Sequence, residues 1–317
     1  MLDFVATGIG MARRRRTQVR RAPAPTRYAV LMPPGRQRAV FAKAYARDAA
    51  AEFVRGRAIY EGGAGSGLYR APQPLELIES QSVILWEYIS PLVESRDYLL
   101  LQLRRSEKTQ RVSLFRRFGM ALAAVHQSLS KLDATSEYRP LSTIRSPYPD
   151  LNAFTLANLD RGPLSPLHWD FVLGNIFMHE AGSGDAEIVA VDAMPNFYLL
   201  ANGGTNVSCP VQIDLAHMVF SVSCNPRFAG WIRAEETDYW NALISGYREV
   251  SSANIDIATT LAAAGEVTLR YQEYRDSTQA HWSAAEWVDR RFRLACATRL
   301  FRAAKDALDG RARTVTA

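Results

Sequence analysis

The chain has 317 residues, of which 48% are hydrophobic and 22% are charged, and its formal net charge is +6. This composition is that of an ordinary globular protein, long enough for one large core or for two lobes. No apolar run approaches the roughly 18 residues that a membrane span needs. Three cysteines without a CxxC pair argue against both a disulfide framework and a zinc site. We therefore expect a protein of the reducing cytoplasm.

The positive net charge comes from the N-terminal segment. Seven arginines and one aspartate lie among residues 1–30, and the other 31 basic and 31 acidic residues balance each other. We therefore expect no nucleic-acid contact through the folded body. The basic segment 1–25, with its run Arg13–Arg16, is typical of a solvated arm or an edge strand. A transit peptide and a tether to an anionic surface are the alternatives.

Residues 26–90 have the pattern of a small strand-rich region with one helix. In chain order the sequence predicts a hairpin at 26–45 around a Pro-Pro-Gly turn, a helix at 47–61, a glycine-rich loop at 62–67 and two strands within 75–90. The glycine run lacks the strand-then-helix context of a phosphate-binding loop, so we interpret it as the segment that ends the helix.

From about residue 92 the pattern becomes mainly helical. Large apolar residues recur every seven positions within 109–132, and again from Trp287 to Leu308, which is typical of amphipathic helices. The sequence therefore predicts an α+β fold of two lobes. The N-lobe at 26–90 is small and β-rich, and the C-lobe at 91–317 is larger and mainly helical, with the boundary near Ser90-Pro91.

The stretch HWDFVLGN places His168, Asp170 and Asn175 on one short polar segment between apolar flanks. The spacing H-x-D-x4-N is that of a phosphoryl-transfer catalytic loop. In such a loop Asp170 would orient an acceptor hydroxyl and accept its proton. Asn175 would give an amide oxygen to Mg²⁺, a cation that prefers oxygen ligands. A polar loop whose groups merely satisfy one another is the alternative interpretation.

A second carboxylate follows the loop at the expected place. Asp192 ends the apolar run 186–192, and residues 179–185 supply a turn back to the end of the polar loop. We therefore expect Asn175 and Asp192 at adjacent ends of a hairpin, close enough to share a metal ion.

These segments resemble the kinase-like phosphotransferase family, which includes aminoglycoside phosphotransferases, choline kinases and related small-molecule kinases. HWDFVLGN, VAVD and IDLAHMV follow one another in the family's order, and AVFAKAY resembles the strand whose lysine contacts the ATP phosphates. The resemblance spans about residues 26–220. It implies a two-lobed protein-kinase-like fold, ATP and Mg²⁺ as cofactors, and a hydroxyl group of a small molecule as the acceptor.

The resemblance also implies roles for residues of the C-lobe. It assigns catalysis to Asp170 with His168 beside it, and Mg²⁺ binding to Asn175 and Asp192. It makes Asp214 a buried support that hydrogen-bonds the catalytic loop. Locally, Asp214 also suits the N-cap of the helix that follows it.

In the N-lobe the resemblance makes Lys43 the candidate for binding the ATP phosphates. Glu52, on the predicted helix, is the candidate partner of Lys43, and Glu61 at the end of that helix is the alternative. The hinge, whose backbone would hold the adenine, comprises Trp86, Glu87 and Tyr88. His126, in the helix before the catalytic loop, is expected to be a core histidine.

Three positions depart from the family pattern. Trp169 stands where glycine is common, Asp192 is followed by Ala-Met where a glycine is usual, and APAPT at 22–26 occupies the place of a glycine-rich nucleotide loop. The complete set of lysine, aspartates and asparagine favours an active kinase. The missing glycine loop favours the alternative, a catalytically weak kinase-like binding or regulatory module.

The acceptor is constrained by charge alone. From His217 to Ala317 the chain has 13 basic and 12 acidic residues, a balance that disfavours a polycationic antibiotic as the acceptor. Aromatic residues of this region could stack on a sugar ring or on a quaternary amine, and the sequence does not choose between them.

Overall fold

The structure is a computed structural model that describes residues 27–31, 38–45, 48–134, 136–180, 186–192, 207–228, 235–279 and 282–315. The basic segment 1–25, the APAPT stretch and the Pro-Pro-Gly turn lie outside these described residues.

The described residues form two lobes whose elements follow the predicted order. The N-lobe comprises β1 (Arg27–Leu31), β2 (Val40–Ala44), α1 (Ala49–Ser66), β3 (Pro74–Ile78), a 3₁₀ turn (Glu79–Gln81) and β4 (Val83–Glu87). The C-lobe comprises β5 (Val93–Glu94), α2 (Ser95–Arg105), α3 (Lys108–Leu129), β6 (Ser136–Glu137), α4 (Pro149–Arg161), β7 (Leu164–Pro166), β8 (Ile176–His179), β9 (Glu187–Ala190), β10 (Val207–Pro210), α5 (Gln212–Ser223), α6 (Glu236–Ser251), α7 (Ile257–Thr278) and α8 (Ala284–Val315).

The N-lobe is a four-stranded antiparallel sheet in the order β1-β2-β4-β3, with α1 packed on one face. The predicted hairpin and the two later strands are thus confirmed. Lys43 and Trp86 point to the face that α1 covers, since side chains alternate along a strand and Lys43 pairs with Ile84 on β4. The core beneath this sheet is small and consists of Tyr45, Ala49 and Ile84.

The prediction that the glycine run 62–67 forms a loop is wrong, because α1 continues through this run to Ser66. Gly67 then caps the helix with a φ of 65°. One of these glycines, Gly62, serves close packing. A Cβ on Gly62 would lie 1.6 Å from the hydroxyl oxygen of Ser128 on α3, so only glycine lets the two helices approach this closely. Gly62 therefore belongs to the helix–helix contact between the lobes, whereas Gly65 and Gly67 have open space around them.

The C-lobe is built around α3, which crosses α6 at two glycines. A Cβ on Gly119 would lie 1.9 Å from the carbonyl oxygen of Leu243, and one on Gly246 would lie 2.0 Å from that of Arg116. The backbones therefore touch at this crossing, and the aromatic residues beside it are almost completely buried. This contact gives the C-lobe a rigid centre.

Two small sheets position the polar loop. The loop at 167–175 joins β7 to β8, which pairs with β9 in an antiparallel hairpin, as predicted. On its other side, β7 pairs with β10, and β10 leads directly into α5. The start of α5 is therefore held next to the loop, although more than 30 residues separate them along the chain.

The predicted lobe boundary coincides with a cis peptide bond between Ser90 and Pro91. The division of the chain at this point stays a prediction. Among the helices of the described residues, none combines the length and the apolar character that a membrane span requires.

Candidate active site

Asp214, in the first turn of α5, organises the polar loop at 167–175, which is the candidate catalytic loop. Its Oδ2 accepts hydrogen bonds from the backbone N–H of His168 (2.7 Å) and from Nε2 of His126 (2.9 Å), and its Oδ1 accepts one from the backbone N–H of Trp169 (3.0 Å). Burial alone would raise the pKa of this fully buried carboxyl. The hydrogen bond from His126 and the nearby ring of His217, whose Nδ1 lies 3.7 Å from Oδ1, reverse that effect and hold the pKa of Asp214 well below its usual range. Asp214 is therefore an ionised anchor.

The prediction that Asp214 caps α5 is wrong. The helix begins at Gln212, and Asp214 lies inside its first turn with its carboxylate turned toward the catalytic loop. A carboxylate whose oxygens are taken by His126 and the loop cannot also cap its own helix. His126 is a core histidine, as expected, because its Nδ1 faces the hydroxyl of Tyr247 at 2.8 Å.

His168 lies inside the C-lobe, where its ring packs edge-on against Phe171 at 5.5 Å. Neither ring nitrogen has a hydrogen-bond partner among the described residues. Burial lowers the pKa of His168 to about 4, so the ring is neutral near pH 7. This position favours a supporting role for His168, through its backbone and its packing, over contact with a substrate.

The backbone and the burial of Trp169 show how the loop tolerates this bulky residue at a position where glycine is common in the family that the sequence resembles. Its φ is 71°, in the left-handed region that glycine enters freely and other residues enter at a cost of about 1–2 kcal/mol. The indole is completely buried, which offsets that cost, and the N–H of Trp169 is fixed by Asp214.

Asp170 and Asn175 contact each other directly. The amide nitrogen of Asn175 donates to Oδ2 of Asp170 at 2.6 Å and to its backbone oxygen at 3.2 Å. Burial raises the pKa of Asp170 to about 6, with the nearby charge of Asp192 contributing. An aspartate with this pKa accepts a proton more readily than an exposed one while remaining mostly ionised near pH 7.

Asn175 and Asp192 lie at adjacent ends of the β8–β9 hairpin, as predicted. The backbone N–H of Val191 donates to the carbonyl of Asn175 at 3.1 Å, which extends the ladder to the residue before Asp192. Asp192 itself has a φ of 60° and forms an ion pair with Lys43 of the opposite lobe. The cleft between the lobes is thus bridged at this point.

The donor set of the cleft fits a hard divalent cation. The amide nitrogen of Asn175 is used by Asp170, which leaves the amide oxygen for a ligand, and Asp192 supplies a carboxylate. The described residues contain no cluster of three or more histidine, cysteine or acidic side chains that could hold a metal alone. A cation here would therefore take its other ligands from phosphate groups and water.

The structure does not pair Lys43 with Glu52. Lys43 contacts Asp192, whereas Glu52 is buried on α1 and its Oε1 has no hydrogen-bond partner among the described residues. Burial raises the pKa of Glu52 to about 7, against the opposing effects of Arg55 and Lys43. A role for Glu52 in nucleotide binding stays a prediction, and the alternative partner of Lys43, Glu61, is exposed.

The hinge residues lie at the end of β4 and just after it. The carboxylate of Glu87 accepts a hydrogen bond from Nη2 of Arg70 at 2.5 Å. The backbone N–H of Glu87 donates to the carbonyl oxygen of Gln73 at 2.8 Å. A cavity of about 480 Å³ borders Glu87 and Val40, which face away from Lys43. Adenine binding through Trp86, Glu87 and Tyr88 stays a prediction, and Glu87 would not offer its N–H.

Sequence reasoning missed Arg55, which joins α1 to the catalytic loop. Its guanidinium is completely buried, and Nη2 donates to the carbonyl oxygen of Leu167 at 2.5 Å. One signal was available: Glu52, Arg55 and Ile59 share the three- and four-residue spacing of one helix face. Charged residues on the apolar face of a helix indicate buried partners.

The fold and the site together define a class of protein: the two-lobed kinase-like fold with a polar loop, two metal-suited side chains and a lysine meeting in the cleft. Solved structures of this class are similar to the chain. A glucosamine kinase in complex with glucosamine, ADP and inorganic phosphate has a TM-score of 0.56 and 16% identity, over 88% of this chain and 78% of that one. An amicoumacin kinase in complex with AMP-PNP and Ca²⁺ has a TM-score of 0.55 and 15% identity, over 88% and 87%.

A choline/ethanolamine kinase family protein from Mesorhizobium loti has a TM-score of 0.51 and 14% identity, over 88% of this chain and 92% of that one. No protein-family model matches the sequence, and no curated protein matches it significantly. Identities this low establish the fold alone, and the kinase-like fold predicted from the sequence is thereby confirmed.

Proposed function

We propose that the chain is an ATP- and Mg²⁺-dependent phosphotransferase that moves the γ-phosphate of ATP to a hydroxyl group of a small molecule. The observation that carries this proposal is the meeting of Asp170, Asn175, Asp192 and Lys43 at one cleft. Phosphoryl transfer needs positioning and charge neutralisation more than covalent chemistry, and these four side chains are suited to both tasks.

Each side chain has one task in the proposed reaction. Asp170 would accept a hydrogen bond from the acceptor hydroxyl and take its proton as the hydroxyl oxygen attacks. Lys43 would exchange its contact with Asp192 for the phosphate oxygens. Asn175 and Asp192 would hold Mg²⁺, which when bound neutralises phosphate charge. Asp214 keeps the loop that carries Asp170 in place.

The similar structures support this choice of cofactors. The glucosamine kinase was solved with ADP, and the amicoumacin kinase with AMP-PNP and Ca²⁺. These kinases are named for small molecules, glucosamine and amicoumacin, which favours a small-molecule acceptor here as well. The balanced charge of the C-terminal third favours a neutral or weakly charged acceptor.

The test is a phosphate-transfer screen with Mg-ATP against pooled hydroxylated metabolites, followed by two variants on the acceptor found. Asp170→Asn keeps the shape of the side chain and removes its charge. It should lower kcat by about 10²- to 10⁴-fold and leave nucleotide binding intact. Asp192→Ala should instead lose Mg²⁺-dependent ATP binding, measured as the loss of the thermal shift.

Two results would contradict the proposal. Near-wild-type turnover by Asp170→Asn would show that its carboxylate is not the base. A wild-type protein that binds Mg-ATP but transfers phosphate to no pool would point to the kinase-like binding module instead. A tight site should raise protein stability by about 2.7 kcal/mol at a nucleotide concentration of 100 times Kd.

A further inference from the structure

A pair of thiols lies at the far end of α5 from Asp214, about 15 Å along the helix. Cys224 follows the last residue of α5, and Cys296 is in the middle of α8. The thiol of Cys296 donates to the carbonyl oxygen of Ser223, the residue before Cys224, at 3.2 Å, and each of the two thiols shifts the pKa of the other. Two sulfur atoms from separate helices are therefore neighbours, and both are reduced.

A fixed cation lies beside this pair. The guanidinium of Arg299 places Nη2 at 3.9 Å from Sγ of Cys296 and 3.4 Å from the carbonyl oxygen of Ser223. The side chain of Glu236 holds the other end of the same guanidinium. A positive charge next to a thiol stabilises the thiolate, which is the nucleophilic form of cysteine.

The electrostatics of the two sulfurs differ. The hydrogen bond from Cys224 and the charge of Arg299 lower the pKa of Cys296 to about 7, whereas burial raises that of Cys224. Cys224 is only partly buried, so a small oxidant can approach the pair from its side. The third cysteine, Cys209, is completely buried, and burial raises its pKa. Cys209 is thus an internal control for reactivity.

We propose that Cys224 and Cys296 are a redox modification site at which a peroxide forms a reversible disulfide between α5 and α8. The thiolate of Cys296 attacks one peroxide oxygen, the O–O bond breaks, and the departing hydroxide takes up the thiol proton to form water. The thiol of Cys224 then attacks the sulfenic sulfur as the S–O bond breaks. It gives its proton to the second hydroxide, so two thiols are oxidised and one peroxide becomes two waters.

The bond would restrain the helix that supports the candidate active site. Asp214 anchors the catalytic loop at one end of α5, and the hydroxyl of Ser221 accepts the backbone N–H of Leu173 at 3.3 Å near the other end. Tying Cys224 to α8 fixes this second end. The crosslink also closes a long loop in the unfolded chain, which should raise the melting temperature.

The test is treatment of the whole protein with hydrogen peroxide, followed by thiol counting and peptide mapping without reductant. The expected result is a fall from three free thiols to one, a Cys224–Cys296 crosslinked peptide, and a melting temperature several degrees higher that dithiothreitol reverses. Cys209→Ser should still lose two thiols. Cys296→Ser should form no crosslink and show no thermal gain.

Three outcomes would overturn the proposal. One is a protein that keeps all three thiols under conditions that oxidise free cysteine. The second is a crosslink that includes Cys209, and the third is oxidation of Cys296 to the sulfinic acid without a crosslink. All of these readouts are independent of phosphate transfer, so they test the thiol pair even if the proposed function is wrong.

Discussion

The polar loop that carries Asp170 and the lysine proposed to bind phosphate lie on opposite sides of one cleft, and the molecule holds them in different ways. The loop is held by hydrogen bonds to Asp214. This carboxylate is fully buried, accepts three hydrogen bonds and lies within a continuous C-lobe core. Lys43 lies on a small sheet with a small core, and its hydrogen bond to Asp192 reaches across the cleft. The difference separates a preorganised half of the site from an adjustable half.

This division suits phosphoryl transfer. A base must be positioned before the reaction, and reorganising a buried network during each turnover would be slow and costly. In the proposed reaction the lysine, in contrast, would leave one carboxylate and bind the phosphates of an incoming nucleotide. A partly exposed ion pair is worth little, so its exchange costs little.

The largest predicted effect comes from removing the anchor of the preorganised half. Asp214→Asn keeps the size of the side chain and removes the charge that His126 and the loop N–H groups hydrogen-bond. We expect a loss of about 3–5 kcal/mol in the free energy of unfolding, measured by denaturant titration. Asp160→Asn is the control, because that exposed carboxylate has only a weak ion pair, with Arg139 at 3.4 Å.

The pH dependence gives this prediction its sign. The pKa of Asp214 is lower in the folded protein than the value of about 3.9 expected in the unfolded chain. Its contribution to stability is therefore fully present above about pH 4 and is lost as the pH falls further. The difference in the free energy of unfolding between the wild type and Asp214→Asn should therefore become smaller in acid. If that difference does not change with pH, or if the two proteins have equal denaturation midpoints at pH 7, Asp214 is not an ionised anchor of the loop.

The same contrast explains what the sequence could predict. The loop, the second aspartate and Asp214 are motifs that follow one another in a known order, so HWDFVLGN and VAVD indicate one half of the candidate site by residue. The structure then placed Asp192 and Asn175 on one hairpin, as expected. Local patterns succeed here because short elements bring these residues together.

Contacts between the lobes were not predictable in the same way. Two of these contacts, the hydrogen bond from Arg55 to the carbonyl of Leu167 and the approach of Gly62 to α3, depend on the packing of distant segments. A glycine run has the same composition in a loop and in a tight helix contact, so its pattern did not distinguish the two. Lys43 contacts Asp192 of the opposite lobe, a partner that the pattern of its own strand does not reveal.

The second prediction tests the buried link between the two halves. Arg55→Met keeps the length of the side chain but removes its charged hydrogen bond to Leu167. We expect a loss of about 2–3 kcal/mol in stability, since bonds to charged groups contribute about that much. Nucleotide binding should weaken as well, because α1 packs under the strand of Lys43. Arg57→Met, on the exposed face of the same helix, should change neither quantity.

The measurements are denaturant unfolding and the Mg-ATP thermal shift on each variant. A variant that loses stability and retains the full thermal shift would show that Arg55 serves packing alone. In that case the two halves of the site would be independent of this link.

The smallest predicted effect has the opposite sign and lies at Glu52 in the adjustable half. Burial raises the folded pKa of this carboxyl to about 7, above the value of about 4.3 expected in the unfolded chain. The folded state therefore binds a proton that the unfolded state has lost. Glu52 thus lowers stability progressively as the pH rises from about 4 to 7, and the penalty is complete above that range.

Glu52→Gln removes this penalty, because the amide does not titrate. We expect a gain of about 1–2 kcal/mol in the free energy of unfolding at pH 8. This gain is smaller than the difference between the folded and unfolded pKa of Glu52 would give, because the buried amide needs hydrogen-bond partners of its own. The gain should shrink to nearly zero near pH 4. If the carboxylate of Glu52 orients Lys43 toward the phosphates, the more stable variant should also bind Mg-ATP more weakly. A variant that gains stability and keeps its affinity for Mg-ATP would show that Glu52 does not belong to the nucleotide site. Lys43 would then depend on Asp192 for its position.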